Sequence, residues 1–458
     1  MLRLINYEVT ETEKKVEKSG TSPDCEAGNI FSGGSGVEKT VGLFQLSPEA
    51  SREDGFCRRE NPNIDSFQDI AESRALREVV TEVLTNHCVY GALRGATRSV
   101  CSSIADLAFA VIKRLGEARK RQVKTVVVDR KGVGEAATGV AAGFLPREFH
   151  NGLDDQLHDR GFLEMRKLAA ELELKSYKPL PGWLVRPDSS AGAPAGTAPW
   201  LDGEVSITQE IGEAAQVDPS ELTSALFGAS GAELRPGAVR GIEEASDWGN
   251  HRLTGIHIDD DVERCDVAVV AMGPWSVLAE DWFHGFRVPL LGTLGSMAFY
   301  DRPAGSVHSA IAISQQDDEG RDLMVTARAD GQVSCLGVQG GHKVLTGQDL
   351  RQLNPEDVLP VQEDLEAGRS AFERLSSLTR GEAPKSTGAG VRSVMTNRAP
   401  MIGRIPGYGG TAYVACGHNA YGILCGPITG KALAEEILDG HSTCVDLTPF
   451  DPARHQLW

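Results

Sequence analysis

The chain has 458 residues, 41% of them hydrophobic, which is enough for one large or two ordinary domains with a sizeable core. Its 46 Lys and Arg stand against 64 Asp and Glu, a formal charge of −18. That balance argues against a duplex nucleic-acid binder and against adhesion to an anionic membrane surface, because both need a basic face.

Residues 1–95 carry charge clusters between Glu11 and Lys18, the glycines Gly33, Gly34 and Gly36, and little periodicity. They read as a poorly ordered or atypical segment, in which only residues 66–84 have the spacing of an amphipathic helix. Ile104, Leu107, Ala108, Val111, Ile112 and Leu115 then recur at helical spacing and predict a helix over 103–119. The β-branched run Val126-Val127-Val128, within 123–128, predicts a buried parallel strand ending at Asp129. Residues 187–199 are a loop by composition. A helix is expected over 218–227, where Asp218 is placed to cap it and Pro219 fits its first turn. A second buried strand over 265–272 ends at Gly273-Pro274-Trp275. Residues 287–300 and 323–338 alternate with glycine breaks, as in an antiparallel sheet, and 363–378 is a helix. Residues 411–415 form a last buried strand, running through a glycine turn into a helix over 427–438.

No apolar run approaches the roughly 20 residues that span a bilayer. The N-terminal stretch reaches Glu8 and Glu11 before any apolar segment resembling a secretory signal. The nine cysteines are scattered without a CxxC pair, so a reducing intracellular compartment, the cytoplasm, is expected. The 11 histidines show no HxxxH spacing with a plausible partner set, and no metal site is expected.

Three turns carry the chemistry. In Gly417-His418-Asn419-Ala420-Tyr421-Gly422-Ile423 a buried strand breaks at glycine and passes into a helix. The helix start offers unpaired N–H groups and partial positive charge, suited to an anion or an electron-rich ring edge such as that of a flavin, although an ordinary strand–helix turn uses the same residues. The second turn follows Asp129-Arg130 with small residues from Gly132 to Gly143. The acid would accept hydrogen bonds from a ribose, and the small residues would let backbone amides approach a pyrophosphate; a surface Asp before a flexible loop is the plainer alternative. The third turn is a departure. Where a GxGxxG fingerprint is wanted before the helix at Ile104 stand Cys101, Ser103 and Asp106.

Taken in order, these pieces resemble the FAD-dependent oxidoreductases of the D-amino acid oxidase type. Asp129-Arg130 with Ala136-Ala137-Thr138-Gly139-Val140-Ala141-Ala142-Gly143 resembles the family's loop after the second strand. Gln216-Val217-Asp218-Pro219 with Leu222 resembles its helix before the adenine-side strand, and Ala271-Met272-Gly273-Pro274-Trp275-Ser276 its "AxGPWS" strand end. Gly390-Val391-Arg392 through Gly403 is similar to its "GxRPxTPDGxPxIG" element, with Asn397 at the usual Asp and Arg398 at the usual Gly. The match covers roughly residues 100–440.

The resemblance implies an α/β molecule: a Rossmann-like FAD-binding domain built from the discontinuous segments 96–145, 205–280 and 385–442, and a substrate domain with a mixed or antiparallel sheet from 146–204 and 281–384. It implies oxidation of the C–N bond of an amino acid or related amine, with hydride passing to flavin N5 and oxygen as an acceptor. Asp129, Arg130, Thr138, Gly139, Ala142, Gly143, Val239, Gly273, Gly417, His418, Asn419, Ala420, Tyr421, Gly422 and Ile423 would then bind FAD. The FAD would be non-covalent, because Gly390 stands where some relatives attach flavin to cysteine. Arg392 and Arg328 are candidates for a substrate-carboxylate clamp, a role suited to arginine's planar fork. Arg328 lies in Arg328-Ala329-Asp330-Gly331, similar to the family's "RPDG" hairpin, and a surface ion pair is its alternative. His418 is a candidate base or flavin partner. Competing readings are a degenerate member, with weak or no FAD binding, acting as a binding or regulatory protein, and an NAD-dependent dehydrogenase. The first follows from the altered turn at Cys101; the second is disfavoured by the flavin-like loop and terminal turn.

Overall fold

The structure, a computed structural model, describes residues 79–84, 110, 113, 123–147, 155–188, 190, 200–247, 250–301, 311–314, 322–328, 331–339 and 343–456. Val126, Val127 and Val128 are at most 1% exposed. A run apolar on both faces has to lie inside a sheet covered on both sides, and the strand Val123–Asp129 does so. Its sheet has the order Met401–Arg404, Ala412–Cys416, Val267–Val270, Val79–Leu84, Val123–Asp129, Glu233–Pro236. All neighbours are parallel except the edge strand Met401–Arg404, which runs antiparallel to Ala412–Cys416.

The strand Val79–Leu84 corrects the sequence reading. It pairs with both Val123–Asp129 and Val267–Val270, from Val79↔Val123 to Leu84↔Val128 on one side and from Thr81↔Val267 on the other. The parallel sheet therefore begins inside the segment read as atypical, at the end of the expected 66–84 helix and well before Gly95. Val79, Val80, Thr81 and Val83 are all β-branched, and that density outweighs the helical spacing they share with the residues before them. Residues 66–78, the poor strand at 95–99 and the positions Cys101, Ser103 and Asp106 lie outside the described residues. Of the expected 103–119 helix only 110 and 113 are described, both helical.

The second large sheet has the order Val344–Leu345, Leu290–Asp301, Gln332–Gln339, Asp322–Ala327, Ile311–Ser314, Gly182–Pro187, Val205–Ile211, and Ser386–Met395 also pairs with Leu290–Asp301. It is antiparallel apart from Ile311–Ser314 beside Gly182–Pro187. Leu290↔Met395 to Phe299↔Ser386 is the longest register in it, and it sets Arg392 opposite Thr293. The helix Gln362–Leu375 covers this sheet through Phe372, whose ring meets those of Trp200 at 6.1 Å and Tyr300 at 5.9 Å. A separate three-stranded antiparallel sheet, Val239–Asp247, Asn250–Ile258 and Asp261–Arg264, packs on the parallel sheet through Leu253, Ile256 and Ile258, which share a core with Val126, Val128 and Val270.

Helix Pro219–Ser230 starts as its sequence dictates, with Asp218 Oδ1 accepting from the Ser220 and Glu221 amides at 2.8 and 3.2 Å. The C-terminal helix runs Gly422–Asp439, so its start is Gly422 rather than Pro427. Proline's preference for a first helical position misled the sequence reading. Here it is the sixth residue of the helix, past the first four amides that have no intrahelical partner, and so it removes one backbone bond. Among the described residues no helix is long and apolar enough to cross a membrane.

Candidate functional site

Three strand ends, at Asp129, Val270 and Cys416, lead into turns that converge on a cavity enclosing about 170 Å³. Its walls come from the loop 136–142, from Met272 to Trp275, from Gly390 to Ser393, and from Cys416 to Ile423. Gly295 and Met297, two residues apart and so on one face of their strand, complete it with Met324. Ligands in open α/β sheets collect at such carboxyl ends.

The loop after Asp129 is held from within. Asp129 Oδ1 accepts from the Lys131 and Gly132 amides at 2.6 and 2.9 Å, which closes the turn at the strand's end. Arg130 pairs with Glu356 at 3.2 Å, and Lys131 Nζ donates to the Pro355 carbonyl, so both basic residues anchor the loop to the turn Pro355–Asp357. Thr138 and Ala142 line the cavity, whereas Gly139 and Gly143 stand behind it. Gly143 has φ +71, and a Cβ there would lie 1.9 Å from the Val217 carbonyl oxygen; only glycine permits this backbone contact. Val239 is buried in the core, at the start of its strand and outside the cavity lining.

The flavin-type turn is fixed by packing. Gly417 has φ +83, and a Cβ would meet Met395 Cγ at 2.3 Å. His418 is 8% exposed, and its Nε2 lies 3.0 Å from Thr429 Oγ1, which ties the ring to the C-terminal helix. Asn419 takes φ 52. His418, Asn419, Ala420, Gly422 and Ile423 line the cavity; Tyr421 turns aside, its ring 4.2 Å from that of His158. The helix that follows has no side-chain cap and no acid in its first turn, so no acidic side chain of its own offsets its positive dipole end. Gly273 and Gly422 both line the cavity, and an added Cβ at either would meet nothing within 4 Å.

The two arginine candidates part company here. Arg392 lines the cavity, and burial lowers the pKa of its guanidinium from the usual arginine value, with Tyr421 opposing that shift. Arg328 does not line it. Its guanidinium donates to the Ala141 carbonyl and the Asp218 carboxylate, each at 3.2 Å, and lies 5.4 Å from the centre of the Phe299 ring. Its side chain, 9% exposed, thus pins the loop to the helix cap. The sequence reading missed the Met297 and Met324 contributions and the Thr429 partner of His418; for the two methionines, the alternation of 287–300 and 323–338 carried a signal.

The model of the FAD dependent oxidoreductase family, DAO, matches residues 114–436. The chain belongs to that family. Among known structures, L-proline dehydrogenase from P. horikoshii has a TM-score of 0.65 and 17% identity, covering 83% of this chain and 98% of that one. Glycine oxidase from Geobacillus kaustophilus has a TM-score of 0.63 and 18% identity, covering 83% and 99%. These likenesses establish the shared fold: an FAD-binding Rossmann-like sheet beside a second sheet. Among curated proteins, the provisionally named oxidoreductase C1F5.03c of Schizosaccharomyces pombe is 48% identical over 54 residues, 12% of this chain and 13% of that protein. The bifunctional tRNA-modification protein MnmC of Maricaulis maris is 23% identical over 376 residues, 80% of this chain and 56% of that protein. The matches therefore span a small part of the first and about half of the second.

The residues present fit the DAO family's FAD. An uncapped helix N-terminus without acids suits the electron-rich edge of the ring. The bare faces of Gly273 and Gly422 leave room for a flat group that side chains would fill.

Proposed function

We propose that the protein oxidises the C–N bond of an amino acid or related amine with non-covalently held FAD, and that oxygen takes the electrons. The observation that carries the reading is Arg392 on the wall of a cavity otherwise lined by small, apolar and uncharged groups, facing the uncapped start of helix Gly422–Asp439. When bound, FAD supplies the hydride acceptor. The chain's own residues bind and orient. Arg392 takes the substrate carboxylate, its partly dehydrated fork making that contact stronger than it would be in water. The start of helix Gly422–Asp439 would hold the electron-rich edge of the flavin, and His418, held by Thr429, shapes the turn before that helix. Asp129 is assigned to the adenosine ribose, alongside the turn it closes, and Gly390 offers no thiol for a covalent link. The named activities of the structural neighbours support this class: L-proline dehydrogenase, glycine oxidase and iminodiacetate oxidase.

In this reading the parallel sheet belongs to an FAD-binding domain drawn from 96–145, 205–280 and 385–442 together with the strand Val79–Leu84, and 146–204 and 281–384 form the substrate domain. Free cysteines at Cys265, Cys335, Cys416, Cys425 and Cys444 suit a reducing, intracellular site of action.

The test is flavin absorbance of the purified protein, followed by anaerobic bleaching with a panel of amino acids and the matching decarboxylated amines. Arg392→Met should raise KM for the carboxylate-bearing substrates by about tenfold or more, the worth of a charged hydrogen bond of about 1.5–3 kcal/mol, and lower it, if it changes at all, for the decarboxylated amines. A protein that neither carries FAD nor takes it up on titration would overturn the proposal in favour of the degenerate-member reading.

A further inference from the structure

Beside the three-stranded antiparallel sheet, outside the flavin cavity, Glu244 and His251 of that sheet and His284 of the loop after helix Ala279–Trp282 bring one carboxylate and two imidazoles together. His251 Nδ1 lies 3.1 Å and His284 Nε2 3.2 Å from the same oxygen, Glu244 Oε1. The three donor atoms all fall within 4.8 Å of one another. We propose that this cluster is a site for a divalent transition-metal ion of the zinc class, with His251 Nδ1, His284 Nε2 and Glu244 Oε1 as ligands and water in the fourth position.

The donor set is the first argument. Two neutral imidazoles and one carboxylate suit a borderline ion such as Zn²⁺, and three protein ligands with one open place is a known coordination pattern. Spacing is the second. Ligand atoms about 2.1 Å from a tetrahedral ion stand about 3.4 Å apart along an edge. The two nitrogens already sit at 3.1 and 3.2 Å from the oxygen, so small movements open the gap. The surroundings are the third. Tyr408 Oη donates to the other carboxylate oxygen, Glu244 Oε2, at 2.8 Å and accepts from the His284 amide at 3.1 Å. One hydroxyl thereby orients the carboxylate and ties down the backbone of a second ligand, as outer-shell groups do at metal sites. The His251 ring stacks on Tyr408 with centroids 5.4 Å apart, and its backbone amide donates to the Gly407 carbonyl at 3.0 Å. Glu244 and His251 are about a quarter exposed and His284 is 69% exposed, which leaves an entry path.

The ion would take both rings through their unprotonated nitrogens, so binding releases any proton those atoms carry. The ligands come from a hairpin, Glu244 and His251, and from the loop after helix Ala279–Trp282, His284. The ion would clamp these together, and their distance in sequence explains why no histidine spacing announces the site.

The experiment uses the full chain, stripped with a chelator and desalted, then titrated with Zn²⁺ against a chromophoric competitor, and separately with Co²⁺ for its visible spectrum. Wild type should bind one Zn²⁺ that His284→Ala loses or holds at least about tenfold more weakly. Bound Co²⁺ should give d–d bands without thiolate charge transfer, and Zn²⁺ should raise Tm in wild type only. His284→Ala removes an exposed side chain, so its metal-free Tm and flavin content should match wild type; Glu244→Gln should show the same loss of metal. Equal Zn²⁺ affinity and stoichiometry in wild type and His284→Ala, or a Co²⁺ spectrum dominated by thiolate, would overturn the proposal.

Discussion

Arg328 offers the sharpest test of the way the site is built. Its guanidinium joins the Ala141 carbonyl, on the loop that forms one cavity wall, to Asp218, the cap of helix Pro219–Ser230. Replacing it with Met keeps most of the volume against Phe299 and removes both polar contacts. Hydrogen bonds to a charged group contribute about 1.5–3 kcal/mol, and deleting one member of a fully buried ion pair costs about 3–5 kcal/mol. Asp218 is 22% exposed, so water partly compensates and the loss should sit near the low end, about 3 kcal/mol. Asp218→Asn breaks the charge pairing but preserves the cap, because Asn and Asp cap helices about equally well. In a urea-unfolding cycle of Arg328→Met, Asp218→Asn and the double variant, the coupling energy should be at least about 1 kcal/mol. Flavin content should fall as the loop loosens, while KM for substrate should change little in the fraction that retains flavin. A stable Arg328→Met protein with a strongly raised KM for carboxylate substrates would refute this account and restore Arg328 as the clamp.

Arg398 takes φ +65 at the end of a turn in which its amide donates to the Met395 carbonyl at 2.8 Å. Arg398→Gly should therefore stabilise the fold by up to about 1 kcal/mol, since a left-handed non-glycine residue costs about 1–2 kcal/mol and glycine's extra chain entropy returns part of it; a lower Tm in thermal melts would contradict this. Glu435 tests pH linkage. Burial pushes its pKa up, but its bonds from the Thr443 and Cys444 amides and the Thr443 hydroxyl together hold it below the usual glutamate value. A depressed carboxylate stabilises the fold above its unfolded pKa, near 4.3, and that contribution is lost as pH falls through the folded value. The stability difference between wild type and Glu435→Gln should thus be constant from pH 7 to about 5 and shrink below it; a difference that grows on acidification would contradict the assignment.

What the sequence made legible follows from how local each signal is. The strands at 123–129, 267–270 and 412–416 are apolar on both faces, and the capped helix at 219–230 carries its own start signal in Asp218-Pro219, so all were readable. The Asn397-Arg398 departure from the family element was readable too, yet only the backbone shows that the position kept the left-handed conformation glycine usually fills. The strand Val79–Leu84 was missed because it lies within charged sequence and is specified by its two neighbours in the sheet rather than by its own flanks. The role of Arg328 was hidden for a related reason: its partners lie 187 and 110 residues away. The Glu244, His251 and His284 cluster is likewise a product of tertiary placement.

The charge distribution bears on which substrates suit the proposed reaction. The chain carries −18 overall, yet among the described residues the cavity is lined by one cation, Arg392, and by no carboxylate. At physiological ionic strength the screening length is about 8 Å, so the net charge acts on a ligand during approach and the lining acts on it after entry. A polyanion would be repelled on the way in, and a cationic amine would be attracted outside and repelled by Arg392 and the helix N-terminus inside. A zwitterionic amino acid escapes both difficulties. It has no net charge for the outer field to push, and once inside its carboxylate can meet Arg392 while its amine lies away from the positive wall. Losing an amine proton then leaves a neutral nitrogen beside the flavin site, the form from which C–N oxidation proceeds. The local positive wall favours that loss, because it disfavours the ammonium form. The same wall that holds the carboxylate would thus help to ready the amine, and both effects rest on the lack of acids among the described residues of the lining.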